Sequence, residues 1–154
     1  FPLGANISAV KEYEAGKAIE DGADELDMVV NIGAIKDRDY LKAENDVKKV
    51  VETAKGKIVK VILETDLLSQ REIIETCKIC INAGAHFVKT STGFVKGGIG
   101  ATAENVKLMY DTVSPFGLQV KASGGIKDRN SAIEMINAGA SRIGTSSGIS
   151  IITG

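Results

Sequence analysis

The chain has 154 residues, 44% of them hydrophobic and 25% charged, which suits one packed domain over 1–154 and excludes a disordered segment. Nineteen Lys and Arg against twenty Asp and Glu leave a formal net charge of -1, so overall charge gives no reason to expect nucleic acid or an anionic membrane as partner. No apolar run approaches the roughly 18 residues of a spanning helix, and two Cys are too few for a disulfide framework, so the chain reads as soluble and cytoplasmic.

In chain order, Phe1-Pro2 reads as a strand end, and an opening on Phe1 rather than Met suggests a processed product or part of something longer. The segments 25–30, 58–63, 87–89, 118–122 and 142–144 read as short strands rich in Val, Ile and Leu. A helical pattern precedes each. The second carries Val47, Val50, Val51 and Ala54, the fourth Val106, Met109, Tyr110 and Val113, and the fifth Ala132, Met135 and Ile136, one apolar stripe each for packing on a sheet. Ser69 and Glu72 have capping-box spacing before the third helix. Gly22, Gly84 and Gly139, each followed by Ala, stand where a helix ends and a strand begins.

Asp27, Ile62, Lys89, Lys121 and Gly144, taken as strand markers, are spaced by 35, 27, 32 and 23 residues, the length of a strand with its crossover helix. That repeat predicts an α/β fold, either a doubly wound sheet or a (β/α)8 barrel. Five strands are too few to close a barrel of eight, which usually takes about 250 residues. An open sheet of this kind should expose two long apolar edges and invite pairing with another copy.

In both architectures chemistry sits at the carboxyl ends of the strands. Lys89 and Lys121 each end a strand before a loop of small hydroxyl and glycine residues. Burial and a second ammonium both favour the neutral amine that attacks a carbonyl to form a Schiff base. At about 6 Å and an effective dielectric of 20, two such charges repel by roughly 3 kcal/mol, or about two pKa units. A single strand-end lysine reads first as a side chain reaching solvent; two on successive units bring the paired-amine reading level with it. Asp27, in mid-strand, needs a cationic partner, either as a structural ion pair or as part of a proton relay.

Ser123-Gly124-Gly125-Ile126 and Gly144-Thr145-Ser146-Ser147-Gly148 together suggest a phosphate cradle, although ordinary turn glycines read the same way singly. The glycines between Gly93 and Thr102 lack dinucleotide spacing, and neither Gly-Lys pair precedes Ser or Thr, which disfavours nucleotide cofactors. Cys77 and Cys80 fall inside a helix and read as core; the lone His86 reads as structural or exposed. Glu64 and Asp66 end a strand within reach of a substrate, but a solvated loop is the simpler expectation.

The runs Phe87-Val88-Lys89-Thr90-Ser91-Thr92-Gly93-Phe94, Val120-Lys121-Ala122-Ser123-Gly124-Gly125-Ile126 and Arg142-Ile143-Gly144-Thr145-Ser146-Ser147-Gly148 resemble the deoxyribose-phosphate aldolase family. Phe1-Pro2-Leu3-Gly4 and Glu25-Leu26-Asp27-Met28-Val29 extend the likeness over essentially the whole chain. The resemblance implies a TIM-barrel lyase, here a partial barrel of about five βα units plus a remnant strand end. It implies a class I aldolase, without metal or other cofactor, that cleaves 2-deoxy-D-ribose 5-phosphate to D-glyceraldehyde 3-phosphate and acetaldehyde in deoxyribonucleotide and carbohydrate catabolism. By the same likeness Lys89 forms the Schiff base, and Lys121 and Asp27 tune it and relay protons. Thr92 lies near the substrate hydroxyls, and Gly93, Gly124, Gly125, Gly144, Ser146 and Ser147 lie around the phosphate. A homo-oligomer is implied as well. Members carry further strands ahead of Phe-Pro-Leu-Gly and a C-terminal tail, so an upstream segment is expected, and Lys127 stands where arginine is usual. The alternative is a non-catalytic remnant that binds sugar phosphate or assembles with a partner.

Overall fold

In the computed structural model, which describes residues 1–153, five parallel strands lie side by side in sequence order. They are β1 (Glu25–Val29), β2 (Ile58–Ile62), β3 (Phe87–Lys89), β4 (Gln119–Ser123) and β5 (Arg142–Gly144), each within one residue of its expected bounds. Parallel neighbours need long crossovers, and helices supply them. These are α1 (Ser8–Glu20), α2 (Ile32–Lys36), α3 (Tyr40–Thr53), α4 (Gln70–Asn82), α5 (Ala103–Val113), α6 (Arg129–Asn137) and α7 (Gly148–Thr153). The short α2 has no counterpart in the sequence reading; Asn31 caps it by accepting from the Ala34 N–H. Phe1-Pro2, expected as a strand end, makes no ladder, but its segment lies beside β1, with Gly4 packed on the Val30 carbonyl.

The sheet is strongly curled. Lys121 on β4 reaches Asp27 on β1 at 2.8 Å, and Arg142 on β5 pairs with Glu25 on β1. A flat sheet would hold β1 and β4 about 14 Å apart, three strand spacings. Twist has therefore rolled the five strands into a partial barrel whose inner face looks at itself.

Alternation then separates two chemistries. Met28, Val30, Val59, Val61, Leu63, Val88, Val120 and Ala122 point outward and pack with the helices as one core. Val47 and Val50 of α3, Ile73, Cys77 and Cys80 of α4, and Val106, Met109 and Val113 of α5 are the helical half of that core. The capping box at Ser69 and Glu72 is formed, and Gly22, Gly84 and Gly139 take left-handed φ of 98°, 76° and 113° at the helix ends.

Two stripe residues depart from expectation. Tyr110 lies over Gly139, where an added Cβ would stand 2.4 Å from the ring, and remains exposed. Ile136 is 55% exposed, because α6 lies toward the β5 side, where no further strand continues the sheet. The expectation of two long apolar edges also fails. β5 has three residues, and on β1 the Lys11 ammonium donates to the Val29 carbonyl at 2.9 Å, a charged contact that blunts the edge.

Burial decides which apolar residues carry stability. Leu63→Ala, at a fully buried site, should cost about 3 kcal/mol, and Ile136→Ala less than about 0.5, in urea unfolding. Equal losses at the two sites would contradict this division of the core.

Candidate active site

The inner face of the curl is charged because the residues alternating with the apolar set are Glu25 and Asp27 on β1, Lys60 on β2, Lys89 on β3, Lys121 on β4 and Arg142 on β5. Asp27 is their meeting point. Its Oδ2 accepts from Lys89 Nζ at 2.7 Å and Lys121 Nζ at 2.8 Å, while its Oδ1 accepts from Lys60 Nζ at 2.9 Å. Lys60 also pairs with Glu25 at 2.7 Å, and Glu25 with Arg142, whose guanidinium stacks on the Phe87 ring at 4.9 Å from its centroid. Two carboxylates thus serve four cations, which leaves a surplus of positive charge around Lys89.

The register builds this cluster. Lys60 lies opposite Asp27 in the β1–β2 ladder, and Lys121 lies opposite Lys89 in the β3–β4 ladder. The Lys89 side chain is 11% exposed. That burial pulls its ammonium below the usual lysine range; Asp27 opposes the shift and Lys121 adds to it. For Asp27, burial alone would lift the carboxyl, but hydrogen bonds from Lys121, Lys89 and Lys60 outweigh it and hold the group far below the ordinary carboxylate range.

Beyond the lysines a cleft opens at the carboxyl ends of the strands. Thr92, Gly93, Gly124, Gly125, Gly144 and Ser146 line it together with Lys89 and Lys121; Ser123 and Lys127 line it too. Ser147 stands outside this lining, its N–H donated to Thr145 Oγ1 at 2.9 Å, so its amide is engaged within the turn. The loops behind the cleft interlock. A Cβ on Gly100 would stand 2.5 Å from the Gly124 carbonyl, and Ala101 N–H donates to that oxygen at 3.0 Å.

Several groups lay outside the sequence reading. Lys60 had the same signal as Asp27, a charge inside an apolar strand, and was legible. Glu64 does not sit in a solvated loop, whereas Asp66 is exposed. Glu64 is 2% exposed and accepts from the N–H and hydroxyl of Thr92; Asp66 accepts from the N–H of Ile99 and of Gly100, both at 2.9 Å. The buried Lys11–Asp46 pair ties α1 to α3 and is not part of the cleft lining. Cys77 and Cys80 are buried free thiols, Cys77 pushed up to about 12 by burial, as core cysteines should be. His86 has a structural role, its Nδ1 accepting from the Val59 N–H at 3.1 Å. Among the described residues no three His, Cys, Asp or Glu side chains gather to hold a metal ion, and no helix is long and apolar enough to cross a membrane.

Comparison with known proteins agrees with this geometry. Residues 4–153 match the DeoC/LacD family of aldolases. A deoxyribose-phosphate aldolase of Staphylococcus epidermidis is 56% identical over 154 residues, which is all of this chain and 69% of that protein. Among solved structures, "QR15, an Aldolase" superposes with a TM-score of 0.92 at 48% identity, over 98% of this chain and 67% of its own. A tetrameric deoxyribose phosphate aldolase from Aeropyrum pernix gives 0.90 at 36% identity, over 99% and 63%.

Removing the central carboxylate tests the cluster. An interior ion pair broken from one side costs roughly 3–5 kcal/mol, and Asp27 keeps a quarter of its exposure, so Asp27→Asn should cost about 2–3 kcal/mol near neutral pH. The folded carboxyl titrates below its unfolded value of about 3.9, so its stabilisation is full above that pH and is lost as pH falls toward the folded value. Urea unfolding of wild type and variant should therefore converge in acid; a gap constant with pH would contradict the assignment.

Proposed function

Because the chain belongs to the DeoC/LacD family of aldolases, we propose that it cleaves 2-deoxy-D-ribose 5-phosphate to D-glyceraldehyde 3-phosphate and acetaldehyde, and catalyses the reverse aldol addition, as a class I lyase. The observation that carries this reading is one carboxylate oxygen of Asp27 shared by the buried Lys89 and the half-buried Lys121 at 2.7 and 2.8 Å. Burial, aided by the neighbouring Lys121, outweighs Asp27, so the Lys89 amine loses its proton more readily than a surface lysine and can attack an aldehyde.

In the addition direction the neutral Lys89 amine attacks the acetaldehyde carbonyl, water leaves, and a protonated Schiff base forms. That cation acidifies the adjacent methyl group; loss of a proton gives an enamine, whose carbon attacks the carbonyl of D-glyceraldehyde 3-phosphate. Water then releases the product and restores the amine. Asp27 and Lys121, both within hydrogen-bond reach of Lys89 or of each other, hold the protons that move in these steps. Thr92 meets the substrate hydroxyls, and the loops bearing Gly93, Gly124, Gly125, Gly144 and Ser146 receive the phosphate through backbone N–H groups, with Lys127 adding charge at the rim.

The setting of the reaction follows the same reasoning. Buried free thiols suit a reducing cytoplasm. Assembly into a homo-oligomer is supported by the tetramer formed by the Aeropyrum pernix relative.

Borohydride trapping with acetaldehyde tests the proposal. A covalent adduct should form on Lys89 and disappear in Lys89→Ala; a protein that binds sugar phosphate yet yields no adduct would be a non-catalytic remnant. Because the amine titrates below its ordinary value of about 10.5, the trapping rate should reach half its maximum below that pH. Lys121→Met removes a neighbouring cation that favours the neutral amine, so the midpoint should move upward; a downward move would exclude Lys121 as a tuning group.

A further inference from the structure

Among the described residues, three other than glycine have left-handed backbones: Arg38, Lys55 and Glu64. Arg38 and Lys55 are exposed and follow helix ends, where such a conformation is common. Glu64 differs. It stands two residues after β2 with φ 60° and ψ 64°, is 2% exposed, and directs a buried carboxylate at the loop after β3. L residues other than Gly, Asn and Asp disfavour this backbone, and a conformation of this kind persists where its surroundings hold it and the side chain has a task.

The carboxylate has such a task at Thr92. Thr92 N–H donates to Glu64 Oε1 at 3.1 Å, and the Thr92 hydroxyl donates its only proton to Glu64 Oε2. The same hydroxyl accepts from the Phe94 N–H at 3.1 Å. A hydroxyl has one proton and two lone pairs, so one acceptor site remains, on a residue that lines the cleft with Lys89. Two residues further along the β2 loop, Asp66 accepts from Ile99 and Gly100 N–H and holds the other end of the same glycine-rich loop.

We infer that Glu64 is a positioning residue that fixes the polarity of the Thr92 hydroxyl, so that the cleft accepts a hydrogen bond from a ligand hydroxyl lying between the aldehyde end and the phosphate end. This rests on the proposed aldolase reading for the identity of the ligand, a hydroxylated phosphate ester. Without the carboxylate the Thr92 proton turns toward the ligand or toward another acceptor, and the ligand hydroxyl loses its partner. Glu64 itself need not touch the ligand.

The test uses glycerol 3-phosphate, which has hydroxyls but no carbonyl to react with Lys89, and inorganic phosphate, which has neither. Calorimetry should find glycerol 3-phosphate bound about tenfold more weakly by Glu64→Gln, with inorganic phosphate changed less than twofold. Thr92→Val, at a half-buried loop position, has the same expectation and serves where Glu64→Gln does not fold. Adding Glu64→Gln to Thr92→Val should cost less than a further twofold, since Glu64 acts through that hydroxyl. Additive losses, a parallel loss for both ligands, unchanged glycerol 3-phosphate binding, or no binding by the wild-type chain would each overturn the inference. Failure of the aldolase reading shows separately, as absence of an acetaldehyde adduct on wild-type Lys89.

Discussion

One carboxylate organises the interior of the curled sheet. Asp27 accepts from Lys60, Lys89 and Lys121, which come from three different strands, and those bonds require β1 to face β4 across the barrel interior. Neither the curl nor the charge is independent of the other. An uncurled sheet would leave Lys89 and Lys121 without their shared anion, since only Lys60 stands on the strand next to Asp27, and a curled sheet without Asp27 would press cations together in a poorly hydrated space.

The same arrangement that stabilises the fold makes one amine reactive. Asp27 alone would hold Lys89 charged, but burial and the neighbouring Lys121 act against it, and burial is the largest influence. Glu25 takes up Arg142 and shares Lys60, so part of the inner positive charge is neutralised away from Lys89. The outer face contributes differently: its Val, Leu and Met side chains bury against α3, α4 and α5 and fix the strand register on which the lysine positions depend. Stability comes largely from one side of the sheet and chemistry from the other.

The loops follow a similar division between support and contact. Gly100 approaches the Gly124 backbone so closely that no side chain fits, which joins the loop after β3 to the loop after β4. Glu64 and Asp66, on the loop after β2, grip the loop after β3 from its far side. Three consecutive strands thereby contribute to the wall of one cleft, and residues that never enter it set the orientation of those that do.

Period-two alternation, helical stripes and regular spacing made the parallel βα units legible, and the strand-end position of Lys89 marked the active face, while Lys121, expected at a strand end, lies in the middle of β4. Asp27 was legible as a buried charge in need of a partner, and Lys60 had the same mark. Glu64 was marked only by its place at the end of an expected strand, because a left-handed φ and a hydrogen bond to Thr92 leave no local pattern; Tyr110 and Ile136 followed the stripe, but the place of α5 and α6 around the sheet left them exposed. Local order along the chain thus determined the strands, the helices and the face on which each charge lies. Only the tertiary structure decided which groups meet, because the bonds of Lys89 and Lys121 to Asp27 span 62 and 94 residues and exist only once twist and register have rolled the sheet.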